Sequence, residues 1–165
     1  MFRKFKFEEP LYEGLTAIPL STQFKLDRVG LHLSLKNWNR IALEERQVLC
    51  HLPTHSQGEL ECYRGYLAYL LRGLREKCEE VDPPTVLKER AQWENLHGVP
   101  EGVYLNALRF RVLLSPENWI ELDDLERYAL FRLSSDKHTD SQFQEALTEF
   151  YGPSLFRATS TKSHA

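Results

Sequence analysis

Glycine is scarce in this 165-residue chain. There are 8, and none stands in a G-x-G-x-x-G, a G-x-x-x-x-G-K-[S/T] or a G-x-S-x-G arrangement. Loops that cradle phosphates and the nucleophile elbow both require those glycines. Dinucleotide, P-loop and serine-hydrolase motifs are therefore missing. Cysteine is scarcer still, with 3 residues, Cys50, Cys62 and Cys78. An odd count without short paired spacing does not make a disulfide framework, and three thiols cannot supply a four-cysteine iron–sulfur site. Reduced thiols lead us to expect a cytoplasmic protein. No apolar run approaches the ~20 residues of a membrane-spanning helix, so no membrane partner is expected. Arg3, Lys4 and Lys6 precede Glu8, Glu9 and Pro10 with no apolar segment between them, so no secretory leader is expected. A net charge of −3 and the lack of a basic block argue against a nucleic-acid partner, which needs many phosphate contacts.

What is present is an ordinary globular composition, 42% hydrophobic and 27% charged. The length suits a single domain over residues 1–165. The chain also resembles itself at an offset of 81 residues. Ser34, Asn37, Trp38, Glu45, Arg46, Leu49 and Leu52 then fall on Ser115, Asn118, Trp119, Glu126, Arg127, Leu130 and Leu133. Random pairing of a window this short would give about one identity. Two of the three tryptophans coincide. We expect an all-α domain of two related helical halves, at about 15–80 and 99–152. A linker at about 80–98 would join them, and a disordered tail would follow from about 154.

Local signals support helices. Pro19 suits a first helical turn, and Gly30 ends the run from Leu20 as a residue that accepts positive φ without cost. Leu31, Leu33 and Leu35 alternate with polar residues, which suggests a short extended connection. Ser115-Pro116-Glu117 reads as a helix start. Asp123 three residues before Glu126 reads as a capping box. Ala42 replaces that Asp in the first half, so the cap of the corresponding start is expected to be weaker or supplied otherwise. Leu60, Tyr63, Leu67, Leu70 and Leu74 mark an amphipathic helix over about 58–79, stopped by Asp82-Pro83-Pro84. Phe143, Leu147, Phe150 and Tyr151 mark a shorter one, stopped by Gly152-Pro153.

Ala17-Ile18-Pro19-Leu20, Phe24-Lys25-Leu26-Asp27, Gly30-Leu31, Trp38 and Glu44-Glu45-Arg46-Gln47 carry a family resemblance. So do Tyr63-Arg64, Trp93, Val99-Pro100, Ser115-Pro116, Trp119, Arg127-Tyr128-Ala129-Leu130 and the stretch from Phe143 to Phe150. Together they resemble the nitrate reductase-associated protein family over about residues 5–151. The chain departs from the family pattern at Ala17, near a family cysteine, and at the turn after Pro53. It departs again at Arg111, which stands where glycine is usual. A non-glycine at positive φ costs roughly 1–2 kcal/mol, so the turn at Arg111 is expected to differ from that at Gly30. The resemblance implies a non-enzymatic accessory protein, without a cofactor of its own. It would support assimilatory nitrate reductase in activity, assembly or cofactor loading. Two other readings remain open, a general helical adaptor for another redox or metabolic enzyme and a small metal-binding protein.

The metal reading would rest on Cys50, His51, His55 and Cys62, whose spacing is not that of a standard zinc site. Cys50 aligns with Phe131, which makes a buried apolar thiol the simpler expectation. Glu45 and Glu126 are expected to cap helices; if residues 38–52 instead formed one continuous helix, Glu45 would be a buried carboxylate and a functional candidate. Arg46 and Arg127 beside them would pair with acids of the other half. Lys25 and Asp27 have no charged counterparts at the aligned Asn106 and Leu108. Asp27 in an apolar register needs an ion-pair partner, for which Arg28, Arg46 and Arg127 are candidates, or it recognises a protein partner. Lys25, Asp27, Trp38, Arg46, Trp119 and Arg127 are the candidate partner-binding or motif residues. Phe2, Phe5 and Phe7 would either dock on the core or form an exposed strip.

Overall fold

A computed structural model describes residues 2–77 and 79–152. Cys78 and the tail expected to be disordered lie outside the described residues. The chain divides into two compact units, Met1–Leu87 and Lys88–Ala165.

In the first unit a 3-10 segment at Lys6–Leu11 precedes α1 (Leu20–Val29), β1 (Leu31–His32), α2 (Leu35–Arg40), α3 (Leu43–His51), α4 (Gln57–Gly73) and β2 (Glu79–Glu80). Pro19 stands one residue outside α1, as its cap, with extended ψ. Its carbonyl accepts the amides of Thr22 and Gln23. Ser34 and Ser56 cap α2 and α4 through their hydroxyls. Ala42 has no side-chain acceptor, and at the start of α3 only the Glu45 half of a capping box remains, with Oε2 accepting the Ala42 amide at 3.3 Å. β1 and β2 pair antiparallel, so the extended connection becomes a two-residue ribbon. α1 packs on α3 and α4, and the core holds Trp38, Leu49, Tyr63 and Leu67, all fully buried. Phe5 and Phe7 are buried and stacked at 5.1 Å, so the N-terminal aromatics dock on the core.

α4 ends six residues earlier than its apolar pattern and the distant prolines suggest. Its end is a Schellman turn. The amides of Arg75 and Glu76 reach back to the carbonyls of Arg72 and Leu71, with Arg75 at φ 57°. The Asp82-Pro83-Pro84 signal starts a helix, because a proline that cannot continue a helix fits its first turn equally well. That helix is α5 (Pro83–Trp93), begun by Asp82, whose carboxylate accepts the Thr85 amide. α5 occupies much of the stretch read as a linker and spans the division between the units.

The second unit continues with α6 (Glu101–Arg109), α7 (Pro116–Glu121), α8 (Asp124–Ser134) and, after a 3-10 turn, α9 (Asp140–Tyr151). Asp123 and Glu126 close a full capping box, at 2.8 and 2.9 Å. α8 packs on α6 and α9 around Trp119, Tyr128, Leu130, Phe143 and Leu147. Arg109 grips Asp140 with two nitrogens, joining the end of α6 to the start of α9. Tyr151 donates to the Asn118 carbonyl at 3.0 Å, and burial pushes its phenol well above the usual range.

A shift of 81 residues carries α2 onto α7 over its full length. It carries the starts of α1 and α3 onto those of α6 and α8. α9 begins two residues later than α4 would place it. At the end of α6, Arg111 adopts φ 60°, close to Gly30 at 67°, and the amides of Arg111 and Val112 bond to the carbonyls of Leu108 and Ala107. The turn at Arg111 therefore keeps the left-handed conformation expected to be lost. Its two hydrogen bonds offset the strain.

Two substitutions follow from these turns. Arg111→Gly is expected to stabilise the protein by up to ~1 kcal/mol, since the relieved strain exceeds the added unfolded-state freedom. Ala42→Asp is expected to add about 0.5–1 kcal/mol by completing the capping box of α3. Urea unfolding of each variant against the wild type measures both.

Candidate functional site

Two candidate residues of the first unit, Trp38 and Arg46, meet at one carbonyl. Leu15 is buried at φ 46°, a conformation a branched side chain rarely adopts. Its carbonyl accepts the Trp38 indole N–H at 2.6 Å and an Arg46 guanidinium N–H at 2.8 Å. Arg46 also donates to Asn39 at 3.2 Å and lies 6.0 Å from the Trp38 ring centre. Trp38 is fully buried, so its indole had to find an acceptor inside the fold.

The second unit treats the aligned residues in the same spirit with different partners. Trp119, also fully buried, donates to the Asn95 carbonyl at 2.9 Å. Arg127 is nearly buried and bonds the Leu122 carbonyl and the Asp124 carboxylate of its own helix start. The Nε of Arg46 and that of Arg127 are both buried without a hydrogen-bond partner. Backbone carbonyls and nearby side chains of their own units hold both arginines.

Lys25 is 7% exposed, and its Nζ donates to the Cys50 carbonyl at 2.6 Å. That carbonyl lies in the last turn of α3, where a positive charge also complements the helix dipole. The Cys50 thiol accepts from the Thr22 hydroxyl at 3.2 Å. Cys50 is therefore buried, as its alignment with Phe131 suggests, but in a polar setting. Burial pushes the thiol above its ordinary range, against the Thr22 hydrogen bond and the nearby ammonium, and burial pulls Lys25 below its own.

Glu8 was not legible as a site residue. It is 6% exposed, and Oε1 accepts the Leu20 amide at 3.0 Å while Oε2 accepts the Tyr12 hydroxyl at 2.8 Å. The available signal was Pro19, a cap without a side-chain oxygen, which leaves the first amides of α1 in need of an outside acceptor. Glu8 thus caps the start of α1, and Lys25 the end of α3. Asp27 is half-buried. Arg28, one of the cations expected near it, lies over the Phe24 ring.

His51 Nδ1 lies 2.7 Å from the Gln47 carbonyl, and Cys62 is exposed while Cys50 is buried. Among the described residues no three His, Cys, Asp or Glu side chains are grouped to hold a metal ion. Among the same residues no helix is long and apolar enough to cross a membrane.

Fold and site define a helical protein whose buried charges close helix ends and anchor loops. The chain belongs to the conserved nitrate reductase-associated protein family, whose model matches residues 4–150. That span contains Lys25, Asp27, Trp38, Arg46, Trp119 and Arg127 and reaches into both units. No curated protein and no solved structure matches the chain.

The buried amine and thiol act on stability with opposite signs. Between the lowered pKa of Lys25 and its ordinary 10.5, the unfolded chain holds a proton that the folded chain has released, so stability rises with pH. Above the ordinary 9.0 of Cys50 the unfolded thiol ionises first, and stability falls. Lys25→Met orphans the Cys50 carbonyl but also removes the cost of a buried charge. It is expected to lose about 1 kcal/mol near pH 7. The deficit should grow toward about pH 10, because below the ordinary 10.5 the unfolded wild-type chain holds protons at Lys25 that the folded chain gives up sooner, and the variant thiol has lost its cationic neighbour. Urea unfolding at the two pH values reads the change.

Proposed function

We propose that this protein is a non-catalytic, cytoplasmic accessory of assimilatory nitrate reductase, acting through direct contact with the enzyme in its assembly, cofactor loading or activity. The observation that carries the reading is family membership over residues 4–150. In this reading Lys25, Trp38, Trp119 and Arg127, all buried, serve the contact by holding the helices that present the surface. Asp27 and Arg46 are half-buried and keep some reach to the partner. Leu105 and Leu108 stand one turn apart on α6, each at least 40% exposed, and give a protein partner apolar surface to bury.

Growth of a strain lacking the gene tests the reading. On nitrate as sole nitrogen source it is expected to fail. On nitrite or ammonium it should grow normally, and the wild-type gene should restore growth on nitrate. Equal growth on all three sources would remove the accessory role.

A further inference from the structure

At the end of α4 lies a cavity of about 460 Å³ lined by Ala68, Arg72, Arg75, Glu76 and Lys77. Its volume falls within the roughly 300–1,000 Å³ of small-molecule sites. Three of its five residues are cations, in a chain whose net charge is −3. The carboxylate of Glu76 is already engaged: Arg40 of α2 donates to it at 2.5 Å and to the Leu74 carbonyl at 3.0 Å. Among the described residues Arg72, Arg75 and Lys77 have no ion pair.

Basic residues near a helix end complement its dipole, and that role must be weighed first. Here much of the end is already closed by other donors. The Leu74 amide bonds to the carbonyls of Leu70 and Leu71, the Arg75 amide to that of Arg72 and the Glu76 amide to that of Leu71, and Arg40 takes the carbonyl of Leu74. The backbone amides of the turn are spent in the same bonds, so any ligand must be held by side chains. Arg75 also occupies a left-handed position that glycine would fill without strain. Arg111 shares that conformation, so strain alone does not mark a site. What distinguishes Arg75 is the cavity and the two further cations beside it.

We propose that this cavity binds a small polyvalent oxyanion, one bearing two or more phosphate or carboxylate groups. The planar forks of Arg72 and Arg75 suit such groups bidentately, and Lys77 adds a mobile point charge. A flat acidic protein surface would not need the concavity, which favours the small ligand.

Titration calorimetry of the full chain at low ionic strength, with pyrophosphate and separately with citrate, tests the site. Binding of pyrophosphate in preference to citrate identifies a phosphate ligand, and the reverse a polycarboxylate. Either supports the proposal. Added salt should weaken the binding. Arg75→Gly removes one cation and relieves the turn, so binding should fall about tenfold or more while the melting temperature holds or rises. Arg72→Gln should weaken binding similarly. Heat from neither anion at millimolar concentration, or affinity unchanged in both variants, would overturn the proposal.

Discussion

The carbonyl of Leu15 is the point on which the first unit turns. A carbonyl oxygen has two lone pairs, and here both have a buried or half-buried donor, the indole of Trp38 and the guanidinium of Arg46. Those donors lie 23 and 31 residues along the chain, on α2 and α3. The loop before α1 is thereby tied to two helices at once. Displacing it would leave two polar groups unsatisfied, at roughly 1–3 kcal/mol each. That is enough to hold Leu15 in a backbone conformation costing about 1–2 kcal/mol. In the second unit Asn95 receives the indole of Trp119, while Arg127 turns to the start of its own helix. Identical residues at matching positions thus reach acceptors that only local surroundings supply.

The other buried charges follow the same logic. Glu8 closes the amide end of α1, and Lys25 the carbonyl end of α3. Each charge meets the helix pole that favours it. Neither helix can provide that group from its own terminus, since Pro19 has no side-chain oxygen and α3 ends without glycine. The polar groups clustered near Cys50 are therefore explained by the architecture they complete. A family tied by its description to nitrate reductase presents here a scaffold in which the residues of the shared motif shape the helices.

Much of this architecture was legible. The caps at Ser115 and Asp123 and the periodic faces of α4 and α9 follow from neighbours three or four residues apart. The stretch before the second unit was misread because proline serves a helix start as readily as a stop, and Asp82 settles which by accepting the Thr85 amide. The length of α4 was overestimated because an arginine, and not a glycine, takes the left-handed position after it. At Arg111 the same substitution suggested a changed turn, yet two backbone hydrogen bonds keep it.

Helix identity, most helix starts and the family were therefore written in local chemistry, where each residue's partner lies within one turn. The acceptors of Trp38, Arg46 and Trp119, the capping of α1 by Glu8, the link from Lys25 to Cys50 and the pairing of β1 with β2 were not. Those partners lie between 12 and 49 residues apart. A residue's type announces that it needs a partner. Which partner it meets depends on how the helices pack, and that is settled only when the whole unit excludes water around them.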